Sequence, residues 1–287
     1  MRDFSSNHDA LSINTATVRR QWSLDRIIDE CARRKIRAIS PWRDQVSHVG
    51  IELIARRLRD AGIVLSGYCR GGFFPAVDKA GLQRALDDNR RAIDEAKFLD
   101  SPCLVLVVGS LPGTLEGSPG YRDLSRARLE VVDGIEKSLE YAREIGMPLA
   151  IEPLHPMQAA DRACINTLEQ ALDICDRLDP RQSKMLGVAV DLYHVWWDPK
   201  LEAQIARAGR SRLLAYHVCD WLLPTRDLVN DRGMMGDGVI ELRKCRAWME
   251  SAGYAGFSEV EIFSDHWWKQ PGEQVLDTCV QRHMTCV

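Results

Sequence analysis

The sequence lacks long apolar runs, an excess of positive charge and closely paired cysteines, and each absence removes a class of function. No stretch approaches the ~20 consecutive apolar residues of a membrane span, so no membrane partner is expected. Lys and Arg number 38 against 41 Asp and Glu, a net charge of −3 with the signs interspersed. There is no basic stripe to neutralise a phosphate backbone, so no nucleic-acid partner is expected. The nine cysteines include no CxxC pair, and their number is odd. Neither a zinc cluster nor a disulfide framework fits that pattern; they read as reduced, buried small hydrophobes of a cytoplasmic protein. The opening residues, MRDFSSNHDALS, carry no apolar signal core. Neither GxGxxG nor GxxxxGK[ST] occurs, which speaks against a doubly wound nucleotide-binding sheet.

What is present is a rhythm. Short β-rich runs recur at 11–15, 36–41, 63–69, 103–108, 147–152, 185–191, 212–218 and 257–262. Between them lie stretches with apolar residues at helical spacing: 23–34, 49–61, 79–99, 122–145, 167–178, 199–208, 239–252 and 272–284. Ser23 is placed to cap the first helix, and 167–170 reads as another capped start. Gly62, Gly146 and Gly253 follow helix ends as terminating glycines. Eight strand-then-helix units imply a parallel sheet with crossover helices, and eight is the number that closes. No linker or composition break divides the chain. The expected fold is therefore one (β/α)8 TIM barrel over residues 1–287. The longest irregular stretches, 109–121 and 219–238, each follow a strand and so belong to the face where barrels build active sites.

Four consecutive strands end in a metal-capable side chain. MPLAIE ends at Glu152, LGVAVD at Asp191, LLAYH at His217 and SEVE at Glu261. Adjacent strands are ~4.8 Å apart, so four neighbouring ends can converge on one point. Alternation places Ala150, Ala189 and Ala215 on the same inward face, with Ile151, Val190 and Tyr216 facing the helices. Three carboxylates buried together repel, and a divalent cation resolves that conflict better than protonation. The oxygen-rich set suits Mn²⁺ best, with Mg²⁺ or Co²⁺ as alternatives and Zn²⁺ less well matched.

Five motifs carry a resemblance: IEPL from Ile151, VDLYH from Val190, YHVCD from Tyr216, GDG from Gly236 and EVEIF from Glu259. Together they resemble the xylose-isomerase-like barrel superfamily, which includes sugar isomerases and epimerases, inosose and dehydroshikimate dehydratases, and zinc AP endonucleases. The resemblance spans the chain, with the specific motifs in its second half. It implies that Glu152, Asp191, His217 and Glu261 hold one metal. It implies that His194, of the DxxH pattern, contacts a substrate oxygen. A basic residue of the late loop, Arg226 or Arg232, would contact substrate too. The nuclease branch needs further ligands that are missing here. The fourth strand runs through Val108 into Gly109 with no His, and the late loop reads Asp231, Arg232, Gly233.

The reaction so implied is isomerisation or epimerisation of a keto-sugar or related polyhydroxy-carbonyl compound through an enediolate. Glu152 and Glu261 would move the proton next to the carbonyl. The same set also supports loss of a β-hydroxyl, so a dehydratase of a keto-cyclitol or keto-sugar is the alternative. His155 follows Glu152 in EPLHP, where ketose epimerases carry a carboxylate; it is a further substrate-binding candidate. Trp42, Trp196, Trp197, Trp221, Trp267, Trp268, Phe73 and Phe74 follow strands, and Trp42 and Phe73 are expected to wall the mouth against a sugar or cyclitol ring. Barrels of this group commonly pair, which leaves a homo-oligomer open.

Overall fold

The computed structural model describes every residue except Met1, Glu116, Ser118 and Pro119, so part of the 109–121 loop lies outside the described residues. Parallel strands form a barrel inside a ring of helices. In chain order the strands are Leu11–Asn14, Ala38–Ser40, a third in two pieces (Val64–Leu65 and Tyr68–Gly72), Leu104–Val107, Leu149–Ile151, Leu186–Asp191, Leu213–Val218 and Ser258–Val260. The eighth pairs with the first, and each other pair of chain neighbours is adjacent in the sheet. This is the (β/α)8 architecture that the sequence rhythm implies.

The third strand departs from the single run expected over 63–69. Its first piece pairs with the second strand and its second piece with the fourth. Ser66 N–H still bonds Ile39 O, whereas Tyr68 N–H bonds Cys103 O, so the partner changes at Gly67. A parallel bridge between Trp42 and Cys69 closes the gap, with Cys69 N–H donating to Pro41 O at 3.1 Å.

Beyond the break the strand is irregular again. Its register against the fourth strand shifts between Cys69 and Gly71, which leaves Arg70 as the extra residue of a bulge. A bulge re-aims the side chain it carries. Asn89, buried in the helix Lys79–Phe98, pins the distortion. Its Oδ1 accepts from Gly72 N–H at 2.7 Å, and its Nδ2 donates to Gly72 O at 2.8 Å. Gly72 has φ +108°, and a Cβ there would lie 1.9 Å from Val107 O, so no other residue fits.

The helices follow their patterns with local shifts. The helix expected over 49–61 starts earlier and is broken by Gly50 into Arg43–Val49 and Ile51–Ala61. The helix expected over 199–208 runs as Leu201–Arg212, with non-helical backbone at Gly209. Thr167 accepts from Gln170 N–H as a cap should, whereas Ser23 occupies the cap position without accepting from a helix N–H.

The apolar interior is layered as alternation requires. Ala150, Ala189 and Ala215 cluster with Cys69, Cys103 and Val105 inside the barrel. Ile151, Val190 and Tyr216 belong to the separate layer between sheet and helices. Small residues at the inner positions leave room above them for polar side chains at the mouth. All nine cysteines are free, eight of them buried and Cys286 half-buried. Among the described residues no helix is long and apolar enough to cross a membrane.

Candidate active site

Strand geometry delivers the four expected metal donors to one place. Glu152 follows the end of the fifth strand, and its N–H bonds Leu106 O. Asp191 ends the sixth strand directly opposite His217 of the seventh. Glu261 follows the eighth, and its N–H bonds Val218 O. One donor atom from each of Glu152, Asp191, His217 and Glu261 lies within 4.8 Å of every other, and all four residues are buried.

Two of these donors touch. His217 Nδ1 is 3.0 Å from Glu152 Oε1, a buried ion-pair contact, and although burial works the other way, Glu259, Glu152 and Glu261 push the imidazole well above its ordinary 6.5. A dication would take over the charge that the ring now supplies, with Nδ1 and Oε1 turned toward it. Burial above all, and the charges of Asp191 and Glu152 as well, lift the Glu261 carboxyl to about 8, although Arg232 and His217 pull the other way. Burial works against Asp191 too, but chiefly Arg232, and His217 as well, outweigh it and hold that carboxyl down at about 2. Crowding that unsettles one carboxylate is relieved by a dication, so the residues present fit a divalent metal.

Arg232 reaches this cluster through the 219–238 loop. A short antiparallel pair, Asp220–Trp221 with Arg232–Gly233, folds the loop back over the mouth. Asp220 is buried and accepts N–H bonds from Trp221, Gly236 and Ile240. A Cβ at Gly238 would lie 2.2 Å from Trp221 O, so the GDG motif serves the close packing of this loop. Arg232 Nη1 then lies 2.9 Å from both Asp191 Oδ2 and Glu261 Oε2. Arg226 is exposed on the same loop and does not line the cavity.

His194 sits in the one-turn helix Leu192–Val195, which Asp191 caps by accepting from Tyr193 N–H at 2.8 Å. The turn brings His194 Nε2 to 3.6 Å from Asp191 Oδ2. Its Nδ1 accepts from His155 N–H at 3.1 Å, which assigns the ring proton to Nε2 on hydrogen-bond grounds. Burial holds His194 down to about 3, so the ring is neutral. Arg232 Nη2 is 3.1 Å from Nε2. Both groups then donate, so the ion pairs rather than this contact fix the guanidinium.

His155 itself is not among the residues that line the cavity. Its ring stacks on Trp221 at 4.9 Å, and Trp221 also packs against Tyr193 and Trp196. Of the mouth aromatics, Trp42 and Phe73 line the cavity together with Phe263; Trp196, Trp197, Trp221, Trp267, Trp268 and Phe74 do not. The cavity measures about 150 Å³ and also reaches Glu152, Glu261, His194 and Arg232. That is small for a ligand site and matches one ring or a short chain.

Sequence reasoning passed over Glu259. It is buried below His217, with its Oε1 at 3.5 Å from Nε2. Asn14 Nδ2 donates to its Oε1 at 2.8 Å, and Ser66 Oγ to its Oε2 at 2.7 Å. The signal was available: Glu259 stands two residues before Glu261 on one strand and must share its face. Carboxylates behind a ligating imidazole orient it.

The sequence matches the family described as xylose isomerase-like TIM barrel over residues 25–280. The chain belongs to that family. Among its relatives, a protein of Halalkalibacterium halodurans named inosose isomerase is 24% identical over 223 residues, covering 74% of each chain. Among solved structures, a crystal structure of a Sinorhizobium meliloti protein superposes with TM-score 0.92 at 55% identity, covering 98% of this chain and 99% of that one. The IolI protein, solved with a bound zinc atom, superposes with TM-score 0.80 at 18% identity, covering 94% and 95%. In this xylose isomerase-like barrel, the buried Glu152, Asp191, His217 and Glu261 cluster could hold a metal ion.

Proposed function

We propose that this chain is a divalent-metal-dependent isomerase or epimerase of a small keto-sugar or related polyhydroxy-carbonyl compound. One observation carries the reading: four donors from four adjacent strand ends share one buried point, each within 4.8 Å of every other. The relative named inosose isomerase supports the chemistry of the class.

Glu152, Asp191, His217 and Glu261 would hold the ion, which supplies Lewis-acid stabilisation of negative charge on a carbonyl oxygen. The rest of the work belongs to the chain's own groups. Glu152 and Glu261 reach the cavity from the fifth and eighth strands, so a hydroxy-ketone between them meets a carboxylate from each side. One takes the proton next to the carbonyl, and the other returns it to a neighbouring carbon or to the opposite face. His194 Nε2–H is placed to donate to a substrate oxygen. Trp42, Phe73 and Phe263 give the apolar face of the substrate a wall that keeps water away. Mn²⁺ suits the oxygen-rich donor set, with Mg²⁺, Co²⁺ and Zn²⁺ as competitors. Nine free thiols fit the reducing cytoplasm.

The test is proton NMR in deuterated water with Mn²⁺ across a panel of keto-sugars and keto-cyclitols. Deuterium should enter at the carbon next to the carbonyl. Conversion without exchange would overturn the proton-transfer reading.

A further inference from the structure

Two arginines on the cavity wall have no partner that accounts for them. Arg70 is half-buried on the bulge after the break in the third strand, and its guanidinium lies 4.1 Å from the Phe73 ring centre. Among the described residues it makes no ion pair and no hydrogen bond. The acid nearest in effect, Asp88, is already held by Arg43 at 2.9 Å and Arg91 at 3.1 Å. Arg162, half-buried on the loop after the fifth strand, has a buried Nε with no hydrogen-bond partner. Among the described residues its carboxylate contact is Asp161 Oδ2 at 3.9 Å, beyond hydrogen-bond distance. Both side chains line the cavity that holds Glu152 and Glu261, and Gln158, buried beside Arg162, lines it too.

Two like charges in one cavity repel, and among the described residues no carboxylate is hydrogen-bonded to either guanidinium. Burial, and then the charge of Arg162, holds the Arg70 guanidinium below its ordinary range. The protein also spends a bulge, a glycine that no other residue can replace and both hydrogen bonds of Asn89 on putting Arg70 there. A neutral polyol would leave both charges unmatched. A carboxylate or a phosphate matches them, because a guanidinium pairs such groups through two parallel N–H bonds. The metal donors occupy the fifth to eighth strand ends, whereas Arg70 stands on the third, across the mouth.

We propose that the substrate is an anionic hydroxy-ketone whose carboxylate or phosphate, remote from the reacting carbonyl, is bound by Arg70 and Arg162. This names the substrate class of the site and rests on the function proposed above. It predicts a sharp distinction between otherwise matched ketoses.

The test is calorimetric titration of the Mn²⁺-treated full chain with D-fructose, D-fructuronate and D-fructose 6-phosphate, after a separate titration with Mn²⁺ alone. One of the two anions should bind at least about tenfold more tightly than fructose, with an affinity that falls as salt rises. Which anion wins identifies the group. Arg70→Met and Arg162→Met should each erase the preference, Arg70→Lys should retain part of it, and none should alter Mn²⁺ affinity. Equal affinity for the three ketoses, no binding by either anion, or a preference that survives both Met substitutions would overturn the proposal. Failure to bind Mn²⁺ in the separate titration would sink the metal reading instead, and the ratio of anionic to neutral affinities would still be read.

Discussion

Arg232 Nη1 lies 2.9 Å from Asp191 Oδ2 and 2.9 Å from Glu261 Oε2, so one guanidinium nitrogen bridges two of the four metal-capable residues. It neutralises part of the charge that a cation would neutralise, and it competes for the same oxygens. Removing it leaves two buried carboxylates unpaired, at a cost of about 3–5 kcal/mol. Arg232→Met should therefore unfold at lower denaturant without metal, and Mn²⁺ should stabilise it more than it stabilises the wild type. Equal metal-induced shifts in the two proteins would show that the guanidinium and the ion do not compete.

The close contact between His217 and Glu152 makes a second prediction. His217→Ala and Glu152→Ala should each weaken Mn²⁺ binding by about 100-fold or more. Elemental analysis after EDTA treatment and reloading should find one ion per wild-type chain. At a free ion concentration of 100 times Kd, the ion should stabilise the folded chain by about 2.7 kcal/mol. A wild-type midpoint that ignores both EDTA and Mn²⁺ would remove the metal site.

Proton transfer is addressed by isosteric changes. Glu152→Gln and Glu261→Gln keep shape and remove the proton acceptor, and each should lower turnover by about 10²–10⁴-fold. Circular dichroism would check that the fold persists. Wild-type exchange of the carbon-bound proton by either variant would strip that residue of its role.

Acid stability should depend in part on His283 of the C-terminal helix, Gly272–Cys286. The ring is fully buried, stacked on Phe4 at 4.7 Å, and neither nitrogen has a hydrogen-bond partner. Burial foremost, and then the charges of Arg246, His8 and Arg2, pushes it down from 6.5 to about 3. The unfolded chain thus binds a proton at His283 that the folded chain refuses. Stability is intact above pH 6.5 and drains as pH falls toward 3, by up to roughly 1.4 kcal/mol per pH unit. Urea unfolding at pH 7.5 and pH 5 should show a smaller loss for His283→Leu than for wild type. Equal losses would mean that this ring does not report on pH.

The bulge at Arg70 has its own test. Asn89→Leu removes both bonds to Gly72 and leaves its N–H and C=O buried without partners, which should cost about 2–4 kcal/mol. If the variant unfolds in urea like the wild type, Asn89 is not what holds the bulge.

The second half of the barrel was legible because its signals were strong and local. A run such as LGVAVD gives strand, parity and ligand at once, and the four strand ends reinforce one another. The third strand was not legible in the same way. Its break at Gly67 depends on which neighbour accepts Tyr68 N–H, a property of barrel closure and not of the local residues. Arg70 followed from that miss, since alternation cannot place a residue on a bulge. Trp42 lines the cavity as expected, but the other tryptophans could not be sorted from sequence, for a related reason. Proximity to a strand end says that a ring lies near the mouth, and whether it faces the cavity or a neighbouring ring is decided by loop packing, as with Trp221 against Tyr193 and His155. Glu259 was within reach, since its spacing from Glu261 fixes its face.

The interrupted third strand has a consequence for how such an enzyme can change. The four residues that would grip the ion come from the fifth to eighth strands, while Arg70, one of the two arginines that would sort one ketose from another, hangs on the bulge of the third. Edits to that bulge would retune which molecule is accepted without touching any of the four.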